Sequence, residues 1–299
     1  VAVRGSEYSR RSCVYWPLDR GARVPELVGA EFACLSGLVD DVPVPTAFCV
    51  TALSPHDLLP AETDDLWSLL DAAHTRMQKI TGEVEPRLVV RRGGGGPLPQ
   101  VSDPPTILDA IGLDGLAEAV HEVLTWPAAT RVTDPRLPPE ALGGRGRSAV
   151  LVQALLPAEV SARVGLHRSA SSTGRSGPDA PVPGRPDPDA LIGVRAAWGL
   201  GEGLGDEETP ADTYLFTENL RLIQQRIARK DRMTVFSDGA VLKAQVPARQ
   251  RLVSCLDEQQ ARRVSALYQH VRQRLRHDVR MSVVSVAGDL VAVSCVPAG

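Results

Sequence analysis

The stretch Arg87-Leu88-Val89-Val90-Arg91-Arg92-Gly93-Gly94-Gly95-Gly96-Pro97 begins as an apolar run and ends as bare backbone. Leu88 to Arg91 predicts a short strand, and the glycines with Pro97 let neither strand nor helix continue, so a strand feeds a glycine loop. Upstream, from Ala61 to Thr81, Leu66, Leu69, Leu70, Ala73, Met77 and Ile80 recur at helical spacing behind Thr63, a plausible N-cap with Asp64 and Asp65 in the first turn. Downstream, Leu116 to Leu124 predicts a second helix and Ser148 to Gln153 a buried strand. Ala190 to Trp198 predicts another strand, closed by the turn Gly199-Leu200-Gly201-Glu202-Gly203. Asp257 caps a helix whose Ala261, Val264, Leu267, Tyr268, Val271 and Leu275 share one face. The chain ends in a hairpin, 280–297, around Ala287-Gly288-Asp289. Strands and helices interleave without a repeat, giving an α/β or α+β chain. Residues 168–189 are Ser, Gly, Pro and Asp with almost no large apolar side chain, which predicts a mobile loop.

Composition narrows the function classes. The 299 residues are 43% hydrophobic and 23% charged, enough to bury one large core or two modest lobes. A net charge of −3 provides no basic field for nucleic acid or anionic lipid. Lys79, Lys230 and Lys243 are the only lysines, so the cations are almost all Arg, as in proteins of GC-rich genomes. Cys13, Cys34, Cys49, Cys255 and Cys295 are odd in number and scattered, which argues for reduced core thiols rather than a disulfide framework or zinc site. No apolar run is long enough to span a membrane and the first residues lack a signal-peptide core, so a cytoplasmic protein is expected.

Two further blocks, Val28-Gly29-Ala30-Glu31-Phe32-Ala33-Cys34-Leu35 and Val42-Pro43-Val44-Pro45-Thr46-Ala47-Phe48-Cys49-Val50-Thr51, resemble the opening of the pyruvate phosphate dikinase, phosphoenolpyruvate synthase and rifampicin phosphotransferase family. There a Gly-Gly-Lys helix precedes a P-V-P-x-G-F-x-V-T strand. In the same order, Leu88 to Arg91 resembles the family's A-V-R-S-S strand, and Val150 to Gln153 its V-V-Q-x-M-V strand. Ala196 to Glu202 with Pro210, Asp212 and Tyr214 resembles its G-L-G-E … P-D-x-Y segment, and the closing hairpin its D-I-E-W … Q-S-R-P ending. The resemblance covers about residues 15 to 297. It implies an ATP-grasp-like domain whose amino-terminal lobe (1–150) and carboxy-terminal lobe (151–299) close over ATP in a cleft. The family's phosphohistidine and acceptor domains lie outside the resemblance.

Departures from the pattern fall where phosphate chemistry is expected. The helix lysine that neutralises the triphosphate corresponds to Glu31. A carboxylate about 4 Å from a phosphate replaces attraction with repulsion, on the order of 4 kcal/mol each way at an effective dielectric near 20. Arg91 is kept, but the two serines after it become Arg92 and Gly93. A gap-free placement puts the family's metal-holding Glu and Gln, and its phosphate-meeting Arg, on Ser282, Ser294 and Val296. Hydroxyls are poor substitutes for the charged oxygens Mg²⁺ needs. In Ser161-Ala162-Arg163-Val164-Gly165-Leu166, the family's S-G-V-x-F-T threonine is lost.

The ligand-binding candidates are therefore Glu31, Arg91, Arg92, Gln153 and Glu202. Arg91 and Arg92 could cradle an anion beside the glycine loop, or one of them could pair with Glu31 and close the phosphate pocket. Alternation along a strand lets only one of the two arginines face that side. Gln153 either marks the hinge near the adenine pocket or satisfies backbone groups. Glu202 and His167 are weak candidates for catalysis, against a structural glutamate and a solvated histidine, and His121 reads as a packed, hydrogen-bonded histidine. No Ser-His-Asp, H-E-x-x-H or Walker A pattern is present. The resulting expectation is a diverged family member acting on another small-molecule ligand or a protein partner, with no metal and no cofactor. The alternative is an active, ATP- and Mg²⁺-dependent phosphotransferase working with a separate phosphohistidine domain.

Overall fold

The computed structural model describes residues 13–52, 63–93, 106–125, 148–167, 190–204 and 208–298. Gly94 to Pro97 and the expected loop 168–189 lie outside them. The described residues form two units. Unit 1 takes those up to Asp40 and those from Pro45 to Leu155; unit 2 takes Asp41–Val44 and those from Leu156 to Ala298. The division thus falls a few residues beyond the expected 150/151, and Asp41–Val44 go with the second half.

In unit 1, β1 (Cys13–Tyr15), β2 (Ala47–Ala52), β3 (Leu88–Arg92), β4 (Ile107–Ala110) and β5 (Ser148–Ala154) make an antiparallel sheet in the order β1-β2-β5-β3-β4. Period-two alternation divides it into two faces. Phe48, Val50, Leu88, Val90, Val150 and Val152 point to one core with Leu70 and Met77 of α3 (Thr63–Thr81) and Leu116 and Val120 of α4 (Gly112–Thr125). The opposite face carries Cys49, Leu151, Gln153, Val89 and Arg91, and receives the short helices α1 (Pro25–Val28) and α2 (Ala30–Ser36). Cys49 Sγ lies 3.4 Å from the Val28 carbonyl oxygen on that side.

Unit 2 is built on an antiparallel sheet in the order β13-β12-β6-β7-β8-β9. Its strands are β6 (Val160–His167), β7 (Leu191–Trp198), β8 (Asp212–Phe216), β9 (Leu222–Arg226), β12 (Val279–Val286) and β13 (Asp289–Pro297). One face, with Val164, Ile192, Val194, Tyr214, Phe216 and Met281, packs on Ala261, Val264, Tyr268 and Val271 of α5 (Glu258–Leu275). Asp257 caps α5 as the sequence predicts: its carboxylate accepts from the Gln260 N–H at 2.7 Å while the Gln260 side chain accepts from the Asp257 N–H. The hairpin of β10 (Arg232–Ser237) and β11 (Ala240–Gln245) stands as a separate ladder. The sequence reading missed β1, β4, β6 and β8 to β11, because these strands are short or their apolar residues are few and interrupted. No helix among the described residues is long and apolar enough to cross a membrane.

Candidate functional site

In unit 1 the residues read as the phosphate-handling corner come together. Glu31 opens α2, is 5% exposed, and accepts from Arg91 Nη2 at 2.9 Å. Gly93 makes this contact possible. Its N–H donates to the Ala149 carbonyl at 2.7 Å and its carbonyl accepts from the Glu31 N–H at 3.3 Å. A Cβ there would lie 3.0 Å from the Ala149 Cβ and 3.1 Å from the Val28 oxygen, so any larger residue would push these neighbours back by a few tenths of an ångström. Register decides which arginine takes part. Arg91 shares its face with its Cα partner Leu151, whereas Arg92 is partnered by Val150, which faces the apolar core. Gln153 sits on the Arg91 face, 2% exposed. Its Nε2 finds no hydrogen-bond partner among the described residues.

In unit 2 the Gly-Leu-Gly-Glu turn docks on the β10–β11 hairpin. Gly199 has φ +73°, and a Cβ there would lie 2.1 Å from the Thr234 carbonyl oxygen, which accepts from the Leu200 N–H at 2.7 Å. Ser161 Oγ donates to the Gly199 carbonyl at 2.6 Å. Glu202 accepts from Thr234 Oγ1 at 2.8 Å and lies 3.6 Å from Lys243 Nζ, tying the turn to the β10–β11 hairpin. Asp212 is fully buried. It accepts from Lys230 Nζ, from the Ala228 N–H at 2.9 Å and from the Cys255 N–H at 2.7 Å. Tyr214 donates to the Leu256 carbonyl at 2.7 Å. Burial and the neighbouring Asp212 push the Cys255 thiol upward, so it stays protonated. His167 ends β6 exposed. The expectation for His121 is corrected: it is exposed, because Leu116, Ala119, Val120, Val123 and Leu124 define the buried stripe of α4 and position 121 falls outside it.

The closing hairpin brings Ser282 and Ser294 directly opposite each other and pairs Arg280 with Val296. The partner of Ser282 on its other side is Arg163, and Arg163 is opposite Arg195. Sequence inspection did not find this arginine cluster, because its members are dispersed from 163 to 280 and only strand register aligns them. Burial, then the charges of Arg280 and Arg195, lower the proton affinity of Arg163. Ser282 and Ser294 supply only neutral oxygens, and beside them stands a guanidinium. Mg²⁺ seeks charged oxygen ligands in octahedral geometry, so this residue set does not fit it. Among the described residues no group of three His, Cys, Asp or Glu side chains is placed to hold a metal ion.

A family model described as "Pyruvate phosphate dikinase, AMP/ATP-binding domain" matches residues 106–284. That span includes Glu202, Asp212 and Ser282 but not Glu31, Arg91, Ser294 or Val296. No curated protein is significantly similar to the chain. Among solved structures, D-alanine–D-alanine ligase from Bacillus anthracis is 12% identical, with TM-score 0.36, covering 90% of this chain and 57% of that one. D-alanyl-alanine synthetase A from Vibrio cholerae O1 is 11% identical, with TM-score 0.39, covering 89% and 54%. The ADP complex of purK, N5-carboxyaminoimidazole ribonucleotide synthetase, is 11% identical, with TM-score 0.35, covering 93% and 46%. The chain therefore spans about half the length of the solved structures it matches.

Proposed function

The chain belongs to the pyruvate phosphate dikinase AMP/ATP-binding domain family, and from that premise we propose that it is a diverged member that does not carry out magnesium-dependent phosphoryl transfer and binds another ligand instead. The observation that carries this reading is the buried Glu31–Arg91 pair. At the helix position where the resemblance calls for a lysine, the chain has a carboxylate, and the nearby strand arginine is committed to it. Phosphoryl transfer is mostly positioning and charge neutralisation. Here one cation of the corner is replaced by an anion and a second is neutralised. Ser282 and Ser294 support the same reading, since their hydroxyls do not make a magnesium site. No catalytic step is assigned to the metal.

A second reading, an active phosphotransferase working with a separate phosphohistidine domain, is favoured by the family match itself and by the intact Gly199–Glu202 turn. Titration calorimetry with Mg-ATP, coupled to detection of released phosphate, separates the two. The first reading expects neither micromolar binding nor magnesium-dependent phosphate release. Both together, in the protein alone or with a histidine-carrying partner domain, would establish the second.

A further inference from the structure

The sheet of unit 2 carries a row of side chains of which the family resemblance accounts only for Ser282 and Ser294. Following Cα partners across all six strands gives Ser294, Ser282, Arg163, Arg195, Thr213 and Arg226. Directly opposed residues of an antiparallel sheet project from the same face. This is the face turned away from α5, because the intervening residues Val164, Val194, Tyr214 and Met281 are the ones buried in the core. Arg280, two residues before Ser282, joins the same face.

Arg163 and Arg195 are direct cross-strand neighbours, and like charges so placed destabilise a sheet. Among the described residues no carboxylate forms an ion pair with Arg163, Arg226 or Arg280. Glu208 is the carboxylate that lines a concavity with Arg195, Thr213 and Arg226. The positions beside the row are small: Gly165 and Gly193 on one side, Ser161 and Ala197 on the other. Arg280 Cγ would lie 3.5 Å from a Cβ at Gly165, so its stem lies over bare backbone. Arg195 is held in place by the carbonyls of Leu204 at 3.1 Å and Thr209 at 2.8 Å, which fix the plane of its guanidinium. The outcome is a face of guanidinium donors, Arg163 and Arg195 half-buried, Arg226 and Arg280 exposed and Arg195 held by its carbonyls, with the hydroxyls of Ser282, Ser294 and Thr213 among them.

We propose that this face is a metal-free oxyanion site, with Arg163, Arg195, Arg226 and Arg280 receiving a phosphate or carboxylate group of the ligand. The inference deepens the proposed function and rests on its claim that the ligand is held without magnesium. Guanidinium forks match the paired oxygens of such groups, and a ligand bringing acceptors and negative charge relieves the repulsion that the row carries when empty. A cation would be repelled by the four guanidinium charges here.

The test titrates the protein in EDTA with inorganic pyrophosphate, with citrate, and with sodium chloride at matched ionic strength, following Tm and heat of binding. Pyrophosphate or citrate is expected to raise Tm with concentration well beyond the chloride control, the stronger of the two naming phosphate or carboxylate as the natural group. Arg163→Met should weaken that binding at least tenfold and raise the ligand-free Tm by relieving the repulsion. Arg226→Gln, on an exposed edge strand, is a second variant that keeps the fold and should weaken binding several-fold. An anion effect no larger than that of chloride, or full-strength binding by both variants, overturns the proposal. Magnesium-dependent ATP turnover would instead sink the proposed function, and it is read in a separate assay from the EDTA titration.

Discussion

Replacing Glu31 by glutamine takes the carboxylate away from the partly buried Arg91, and the cost follows from the geometry. At 2.9 Å and an effective dielectric of 20, the Coulomb attraction is on the order of 6 kcal/mol. Part of this offsets the desolvation of the two groups, and breaking a buried pair by removing one partner costs roughly 3–5 kcal/mol. Arg91 retains 18% side-chain exposure and Glu31 only 7%, which places the expected loss near the lower end, about 3 kcal/mol. In urea unfolding, the transition of unit 1 should move to lower denaturant with an unchanged slope. Glu31→Leu combined with Arg91→Leu should recover much of the loss, with a coupling energy of about 2 kcal/mol in the double-mutant cycle. Coupling below about 0.5 kcal/mol would refute the argument, because Glu31 and Arg91 would then be near each other without holding each other.

Three further outcomes follow from unit 2 and its neighbours. Asp212→Ala should cost more than Lys230→Ala, each on the order of 3–5 kcal/mol, because Asp212 also holds the N–H groups of Ala228 and Cys255; thermal melts of the two variants rank them, and the reverse order would reject the role given to Asp212. Gly199→Ala should lose over about 3 kcal/mol through collision with Thr234, whereas Gly112→Ala, also at positive φ but with nothing within 4 Å, should lose only about 1 kcal/mol; equal losses in denaturant unfolding would show that the close approach is not rigid. Burial pushes the Tyr268 hydroxyl up to about 12 from about 10 in the unfolded chain. Its contribution is fully present below pH 10 and is lost as the pH rises from there through about 12. Burial raises Tyr214 as well, so tyrosinate absorbance at 295 nm should lag for both native tyrosines, and unfolding should release it.

The candidate corner of unit 1 was legible from residue types. A carboxylate at a helix start and an arginine at a strand end announce a changed charge pattern wherever they lie. Which arginine meets Glu31 was reduced to a choice by alternation, but Arg91 was selected only by the register of β3 on β5. The turn Gly199–Glu202 was equally visible, while its purpose, docking on Thr234, depends on a hairpin that periodicity missed. Lys230 gave no signal, because a lone lysine in a polar segment looks solvated until Asp212 is brought onto it.

The sequence by itself determined α3 to α5 with the cap of α5, the strands β3, β5 and β7, the closing hairpin and the substitution of serines and a glutamate at phosphate-handling positions. These depend on local spacing and residue chemistry, which need no partner. Only the tertiary structure decided that Ser282, Arg163, Arg195 and Arg226 form one row, because residues far apart in the chain become neighbours through strand register, and a one-residue slip would send each to the opposite face.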